Sequence, residues 1–173
     1  MSVNQRVILG IDPGFSVTGF GVMRQEGSRM MLIDYGALKM SSKDPLSKRV
    51  GIFHDFVEGK IKTHGVTSLA LETPFLGKNA QNFLKLGYLR GLLYLLSDRH
   101  GLLLHEFAPR EVKSTVTGFG GAEKEQVARV ILRLFPSLIM PDKLDVTDAL
   151  AVCLCGVWQK PAIQTNQSLA SRF

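Results

Sequence analysis

The chain has 173 residues, the size of a single domain. Hydrophobic residues make up 45% and charged residues 21%, a balance that excludes the disordered and fibrous classes, and two cysteines exclude a disulfide framework or a four-cysteine zinc site. No signal-peptide pattern opens the chain, and the longest uncharged apolar run, Ala149–Trp158, is too short for a membrane span. We therefore expect a soluble cytoplasmic protein that contacts no membrane. The net charge of +6 is a weak indication of a polyanionic partner such as nucleic acid.

Strands dominate the first part of the chain. Apolar runs at Val7–Ile11, Val17–Met23 and Met30–Lys39 predict three strands that form an antiparallel meander. Two later apolar runs predict further strands at Ser68–Glu72 and Leu102–His105.

Helices are predicted where apolar residues recur at steps of three or four. They cover Leu46–Ile61, Asn79–His100, Val127–Phe135 and Val146–Trp158. The order βββ-α-β-α-β-α-α predicts an α/β domain over residues 1–158, with a mixed five-stranded sheet and helices on both faces. Its first three strands are antiparallel and the later ones parallel. Residues 159–173 are expected to form a flexible polar tail.

Four carboxylates stand out by their positions. Asp12 and Glu72 each end an apolar strand, where a buried charge is costly without compensation. Asp145 and Asp148 lie three residues apart at the start of the last helix, and therefore on one helix face.

Each acid taken alone also has a structural explanation, as a turn residue, a helix cap or a partner of the helix dipole. A shared metal site explains all four together. Hard oxygen ligands without nearby His or Cys favour Mg²⁺ or Mn²⁺ over Zn²⁺. Two such ions about 4 Å apart can clamp the attacking and leaving oxygens of a phosphodiester. Asp34, in the middle of a strand, is expected instead to face solvent at the edge of the meander.

The glycine-rich loop Gly118–Lys124 precedes a helix, so it is either a seat for a phosphate or a plain flexible connector. The helix over Asn79–His100 has more apolar surface than one packing face needs. Leu89, Leu93 and Leu96 are the candidates for a two-fold interface.

Seven motifs, in order along residues 6–157, resemble those of the RuvC family of bacterial Holliday junction resolvases. They are GIDPG-x-x-x-TGFG at Gly10–Gly21, LET-x-F at Leu71–Phe75, KNA at Lys78–Ala80, LKLG at Leu84–Gly87, P-x-x-VK at Pro109–Lys113, TGFGGAEK at Thr117–Lys124 and D-x-x-DALA at Asp145–Ala151.

The resemblance implies an RNase H-like fold and a homodimer that resolves four-way DNA junctions in recombination and repair. It implies paired symmetrical nicks, 5′-phosphate ends, two Mg²⁺ ions per site with Mn²⁺ as a substitute, and a RuvA–RuvB branch-migration complex as partner. The four acids match the family's catalytic, metal-binding set, and Lys113 and Lys124 match lysines near the scissile phosphate. Further expected DNA contacts are Phe75, Lys78, Lys85, Arg110, Gly120 and Gly121.

Three alternatives stay open. One is a related RNase H-like nuclease that acts on RNA. Another is a single-domain relative of the actin-like phosphotransferases, because the GIDPG-x-x-x-TG segment resembles their phosphate loop. The third is a nucleic-acid-binding module without catalysis.

Overall fold

A computed structural model describes residues 5–74, 80–138 and 144–159 of the chain. In these ranges the elements are, in chain order, β1 (Gln5–Asp12), β2 (Val17–Glu26), β3 (Arg29–Lys39), α1 (Leu46–His64), β4 (Ser68–Glu72), α2 (Ala80–His100), β5 (Leu103–Phe107), α3 (Pro109–Thr117), α4 (Lys124–Leu134) and α5 (Asp145–Trp158). No helix in the described ranges has the length and hydrophobicity needed to cross a membrane. Nearly all of the expected tail lies outside these ranges, and its flexibility stays a prediction.

One helix, α3, was not predicted. It has nine residues and buries only Val112 and Val116, so apolar residues recur at helical spacing only once along it. The residues at its two ends are nonetheless typical of a helix. Pro109 lies in the first turn, and Gly118 ends the helix with a φ of 80°. The Glu111 side chain accepts a hydrogen bond from the Ala108 N–H at 3.3 Å, which closes the first turn.

The sheet confirms the predicted mixture of strand directions. Its strand order is β3-β2-β1-β4-β5. Strands β1, β2 and β3 pair antiparallel, while β4 pairs parallel with both β1 and β5.

The two faces of the sheet carry separate parts of the core. Leu9 and Ile11 of β1 pack in one cluster with buried residues of α1 and α2, whereas Ile8 packs in the other with α3, α4 and α5. Side chains alternate along a strand, so Gly10 and Asp12 share the face of Ile8. By the same alternation Glu72 shares the face of Ala70, which packs with Ile8. Both strand-ending acids therefore belong to the face that α5 covers.

Helix α5 lies directly on the backbone of β1 and β2 because glycines leave room for it. A Cβ atom at Gly10 would lie 2.5 Å from the Ala149 carbonyl oxygen, and one at Gly19 would lie 1.9 Å from the Asp145 carbonyl oxygen. Gly19 is also the partner of Asp12 in the β1–β2 ladder. The first turn of α5 is thereby seated beside Asp12.

Two sequence expectations were wrong. Leu89, Leu93 and Leu96 are not surplus surface, because all three are fully buried against the sheet.

Asp34 is on the edge strand as expected, but it does not face open solvent. Its carboxylate accepts hydrogen bonds from Lys60 Nζ at 2.7 Å and from His64 Nε2 at 2.8 Å, both on α1. Partial burial alone would raise the pKa of Asp34, but these two partners outweigh it and lower that pKa.

The seating of α5 predicts a strong effect of Gly19→Ala. The added methyl group overlaps the Asp145 carbonyl, so the first turn of α5 has to move, at a cost of about 1–3 kcal/mol of stability. Urea unfolding followed by circular dichroism measures the loss. Gly59→Ala is the matched control, since Gly59 lies inside α1 with open space around its Cα. It should gain about 0.5–1 kcal/mol. Equal stability of Gly19→Ala and the wild type would contradict the close approach.

Candidate active site

Three of the four predicted acids line one cavity of about 600 Å³. Asp12 reaches it from the end of β1, Glu72 from the end of β4 and Asp148 from the first turn of α5. Asp145 is not part of the lining, but its charge acts on Asp12. The rest of the wall is Ala108, Pro109, Arg110, Val112, Lys113, Lys124, Val127, Ala151 and Val152.

The wall explains why this cavity could not be outlined from the sequence. One side of it is α3, the helix that the sequence pattern missed, and this helix brings Arg110 and Lys113 to the cavity. The opposite side is α4 and α5, whose apolar residues Val127, Ala151 and Val152 exclude water from part of the lining. The site is therefore a half-apolar cleft with acids at its base and cations on its rim.

The carboxylates raise one another's proton affinity. Burial, followed by the charge of Asp148, raises the pKa of Asp12 to about 7 against the opposing charge of Lys124. Burial and Asp148 also raise the pKa of Glu72, although Lys124, Lys113 and Arg90 oppose the rise. At both carboxyl groups, burial and the repulsion from Asp148 thus outweigh the nearby positive charges.

Lys124 supplies the nearest positive charge. Its Nζ donates a hydrogen bond to Asp148 Oδ2 at 2.5 Å. Burial alone would lower the pKa of Lys124, but this bond and the charges of Asp148, Asp12 and Glu72 raise it. The ammonium group is accordingly fixed in its charged form at the mouth of the cavity.

The acids influence one another's charge, but their side chains are not arranged around a common point as metal ligands are. Among the residues that the structure describes, no group of three or more His, Cys, Asp or Glu side chains has the spacing of a metal site. The Asp148 carboxylate is instead turned toward Lys124.

The other predicted site residues are distributed unevenly. Arg110 and Lys113 line the cavity, while Lys85 is exposed on α2 and is not part of its wall. Gly120 packs near the Arg110 carbonyl oxygen, which a Cβ atom would approach to 3.1 Å. Gly121 packs under the ring of Phe119. Phe75 and Lys78 lie outside the described residues.

The loop before α4 offers fewer backbone donors than its glycines suggested. The Ala122 N–H donates to the Phe119 carbonyl at 3.1 Å, and the Glu123 N–H donates to Gln126 Oε1 at 2.7 Å. These two N–H groups are thereby taken, and the contact of this loop with a phosphate stays a prediction.

The raised pKa of Asp12 predicts how stability depends on pH in metal-free buffer. The folded state holds the Asp12 proton up to about pH 7, whereas an unfolded aspartate releases it near pH 4. The contribution of Asp12 to stability therefore falls as pH rises from about 4 to about 7. Asp12→Asn removes this penalty and should be more stable than the wild type above pH 7, by up to about 4 kcal/mol, with no advantage near pH 4.

Unfolding by urea between pH 4 and 8, with a chelator present, measures this difference. Asp98→Asn, which changes an exposed carboxylate on α2, is the control and should show no such trend. A wild type as stable as Asp12→Asn at pH 8 would contradict the buried, mutually repelling cluster.

Comparisons with known proteins agree with the resemblance seen in the sequence. The family model described as crossover junction endodeoxyribonuclease RuvC matches residues 8–156. The RuvC protein of Pelodictyon phaeoclathratiforme is 44% identical over 151 residues, which cover 87% of this chain and 79% of that protein. The RuvC protein of Protochlamydia amoebophila is 38% identical over 95% of this chain and 97% of its own length.

Solved structures give the same result for the fold. Thermus thermophilus RuvC in complex with a Holliday junction substrate superposes with a TM-score of 0.79 and 28% identity, covering 86% of this chain and 91% of that one. The yeast mitochondrial Holliday junction resolvase Ydc2 shares the fold alone, with a TM-score of 0.62 and 13% identity. The RNase H-like fold expected from the motifs is confirmed. The chain belongs to the RuvC family, the crossover junction endodeoxyribonucleases.

Proposed function

We propose that this protein is the endodeoxyribonuclease that resolves four-way DNA junctions by paired, symmetrical nicks. The observation that carries the proposal is the cavity in which Asp12, Glu72 and Asp148 meet beneath a rim of Arg110, Lys113 and Lys124, in a chain of the RuvC family. A negative base under a positive rim suits hydrolysis of a phosphodiester, because the acids can hold cations while the rim holds the DNA backbone.

The acids fit a hard divalent cation by their chemistry. The donor set is entirely carboxylate, and burial and mutual repulsion raise the pKa of Asp12 and of Glu72, so that bound cations would relieve an unfavourable cluster of charges. We expect Asp12, Glu72, Asp145 and Asp148 to hold two Mg²⁺ ions, with Mn²⁺ as a substitute. Such ions would activate a water for attack on the phosphorus and stabilise the departing 3′ oxygen, so that the phosphate would stay on the 5′ end.

Lys124 has a second task in this scheme. In the structure its ammonium group neutralises Asp148. With Asp148 holding a cation, Lys124 would be available to the scissile phosphate. Lys113 lines the same cavity, and we expect it to contact the same phosphate. The two lysines would then stabilise charge that develops during cleavage.

Further DNA contacts are proposed from charge and position. Arg110 on the rim and Lys85 on α2 are exposed cations, and Gly120 and Gly121 shape the loop that leads to Lys124. Phe75 and Lys78 stay predicted contacts from the family motifs.

We propose a homodimer through the outer face of α2. Leu84, Tyr88 and Leu95 are 61%, 44% and 39% exposed, and their spacing of four and seven residues places them in one row. Gly91 lies in the same row and leaves open space beside it. This row replaces the buried leucines first considered. A two-fold axis there would present two active sites to two strands of a symmetric junction.

The cellular setting is part of the proposal. A substrate of recombining DNA places the protein in the bacterial cytoplasm, without a role for a membrane. The RuvA–RuvB branch-migration complex is the partner that would deliver such junctions.

Catalysis is tested on a synthetic four-way junction with and without Mg²⁺. Wild-type protein should nick two opposing strands only with the metal. Asp148→Asn should lower the nicking rate about a thousandfold, because several kcal/mol of transition-state stabilisation depend on the bound cations. Junction affinity should be unchanged, since it depends on basic residues.

Asp34→Asn is the matched control for Asp148→Asn. It also removes a partly buried, lysine-paired carboxylate, but on β3, outside the cavity wall. It should nick at nearly the wild-type rate. Linear duplex, an RNA hybrid and ATP test the alternative activities. Preference for RNA, turnover of ATP, or junction binding without cleavage in Mg²⁺ or Mn²⁺ would overturn the proposal.

The dimer is tested by Leu84→Glu. A buried charge at the centre of an apolar interface is strongly unfavourable, so the variant should elute as a monomer while the wild type elutes as a dimer. Light scattering during gel filtration gives both masses. Leu134→Glu on α4 changes a leucine that is 42% exposed and should remain dimeric. A monomeric wild type, or a dimeric Leu84→Glu, would contradict this interface.

A further inference from the structure

Arg90 is a buried charge on the far side of the sheet from the cavity. It lies on α2, is only 6% exposed, and is not part of the cavity wall. Its neighbours Leu89 and Leu93 pack in the core cluster of the α1–α2 face. A buried guanidinium is costly unless its donors are satisfied, so its partners indicate what it stabilises.

Those partners join the end of β4 to β5. Arg90 Nη1 donates a hydrogen bond to the main-chain carbonyl of Glu72 at 2.6 Å. Nη2 donates to Glu106 Oε1, and this carboxylate also accepts a hydrogen bond from the Tyr94 hydroxyl at 2.9 Å. One planar group thus bridges the backbone of a cavity acid and a carboxylate of the neighbouring strand.

The bridge formed by Arg90 lies where the pairing of β4 with β5 ends. Glu72 is the last residue of β4, and Phe107, its partner in the ladder, is the last residue of β5. The next amide, Thr73 N–H, still donates to the Phe107 carbonyl at 2.8 Å. Arg90 provides the corresponding support for the Glu72 carbonyl. Together these bonds fix the peptide that carries the Glu72 side chain.

We propose that Arg90 is a positioning residue for the nuclease reaction: it fixes Glu72 through its main-chain carbonyl, so that the carboxylate is held ready for the cations without contact between Arg90 and the cavity. This inference rests on the proposed function. A purely structural ion pair would affect stability alone, whereas a positioning residue also affects the metal requirement and the rate of the bound complex.

Arg90→Lys tests the bridge. Lysine keeps the charge but lacks the planar fork that reaches Glu72 and Glu106 together. At saturating junction the cleavage rate should fall about tenfold to a hundredfold, and the Mg²⁺ concentration for half-maximal rate should rise by a similar factor. Junction affinity in the absence of Mg²⁺ should stay within about twofold, because the DNA-facing cations are unchanged.

Glu106→Gln is the second variant. It keeps the guanidinium and removes only its anchoring charge, so it covers the case in which Arg90→Lys folds poorly. The same split between rate and affinity is expected, at about a third to a tenth of the wild-type rate.

Lys60→Gln is the matched control. Lys60 forms another partly buried ion pair between a helix and the sheet, with Asp34, away from the cavity. It should lower the melting temperature without changing the rate per folded molecule or the Mg²⁺ requirement. If Arg90→Lys, or Glu106→Gln where the first variant is unfolded, cuts like the wild type at equal Mg²⁺, the inference is wrong. A wild type that does not cut junctions would instead overturn the proposed function.

Discussion

The seating of α5 on bare strand backbone is the constraint on which the site depends. A helix packed on side chains would lie about 10 Å from the sheet, too far for its first turn to meet a strand end. Gly10 and Gly19 remove that layer, and carbonyl groups of α5 lie where their Cβ atoms would be. Asp148 therefore enters the same cavity as Asp12 and Glu72. As a consequence, the fold has little room for any residue larger than glycine at positions 10 and 19.

This close packing also brings carboxylates of like charge together in a partly buried site. Burial and mutual repulsion make ionised Asp12 unfavourable, with a pKa raised to about 7. The protein contributes Lys124 as a partial counter-charge at Asp148. A cluster that is unstable as free anions has much to gain from divalent cations, and binding energy of this kind also stabilises the folded state. In the proposed function Lys124 would connect the two conditions, since it pairs with Asp148 in this structure and would turn to the substrate phosphate during cleavage.

Helices on both faces of the sheet contribute to the site. Helices α3, α4 and α5 form the cavity, while α2 on the other face holds the end of β4 through Arg90. The same helix presents the exposed row of Leu84, Tyr88 and Leu95. Its buried leucines attach it to the core, so α2 would connect the proposed dimer contact with the backbone of Glu72.

Within the described residues, the sequence by itself determined the strands, four of the five helices and the acids, because alternation along strands, helical periodicity and charged residues at the ends of apolar runs are all local signals. It could not reveal α3, whose apolar pattern spans one step, nor that Leu89, Leu93 and Leu96 are core residues. Periodicity identifies an apolar face but not the partner that covers it. The pairing of Asp34 with α1, the link from Arg90 to Glu72 and the turn of Asp148 toward Lys124 were decided only by the tertiary structure. Each joins residues at least 18 positions apart, and no local pattern records such a distance.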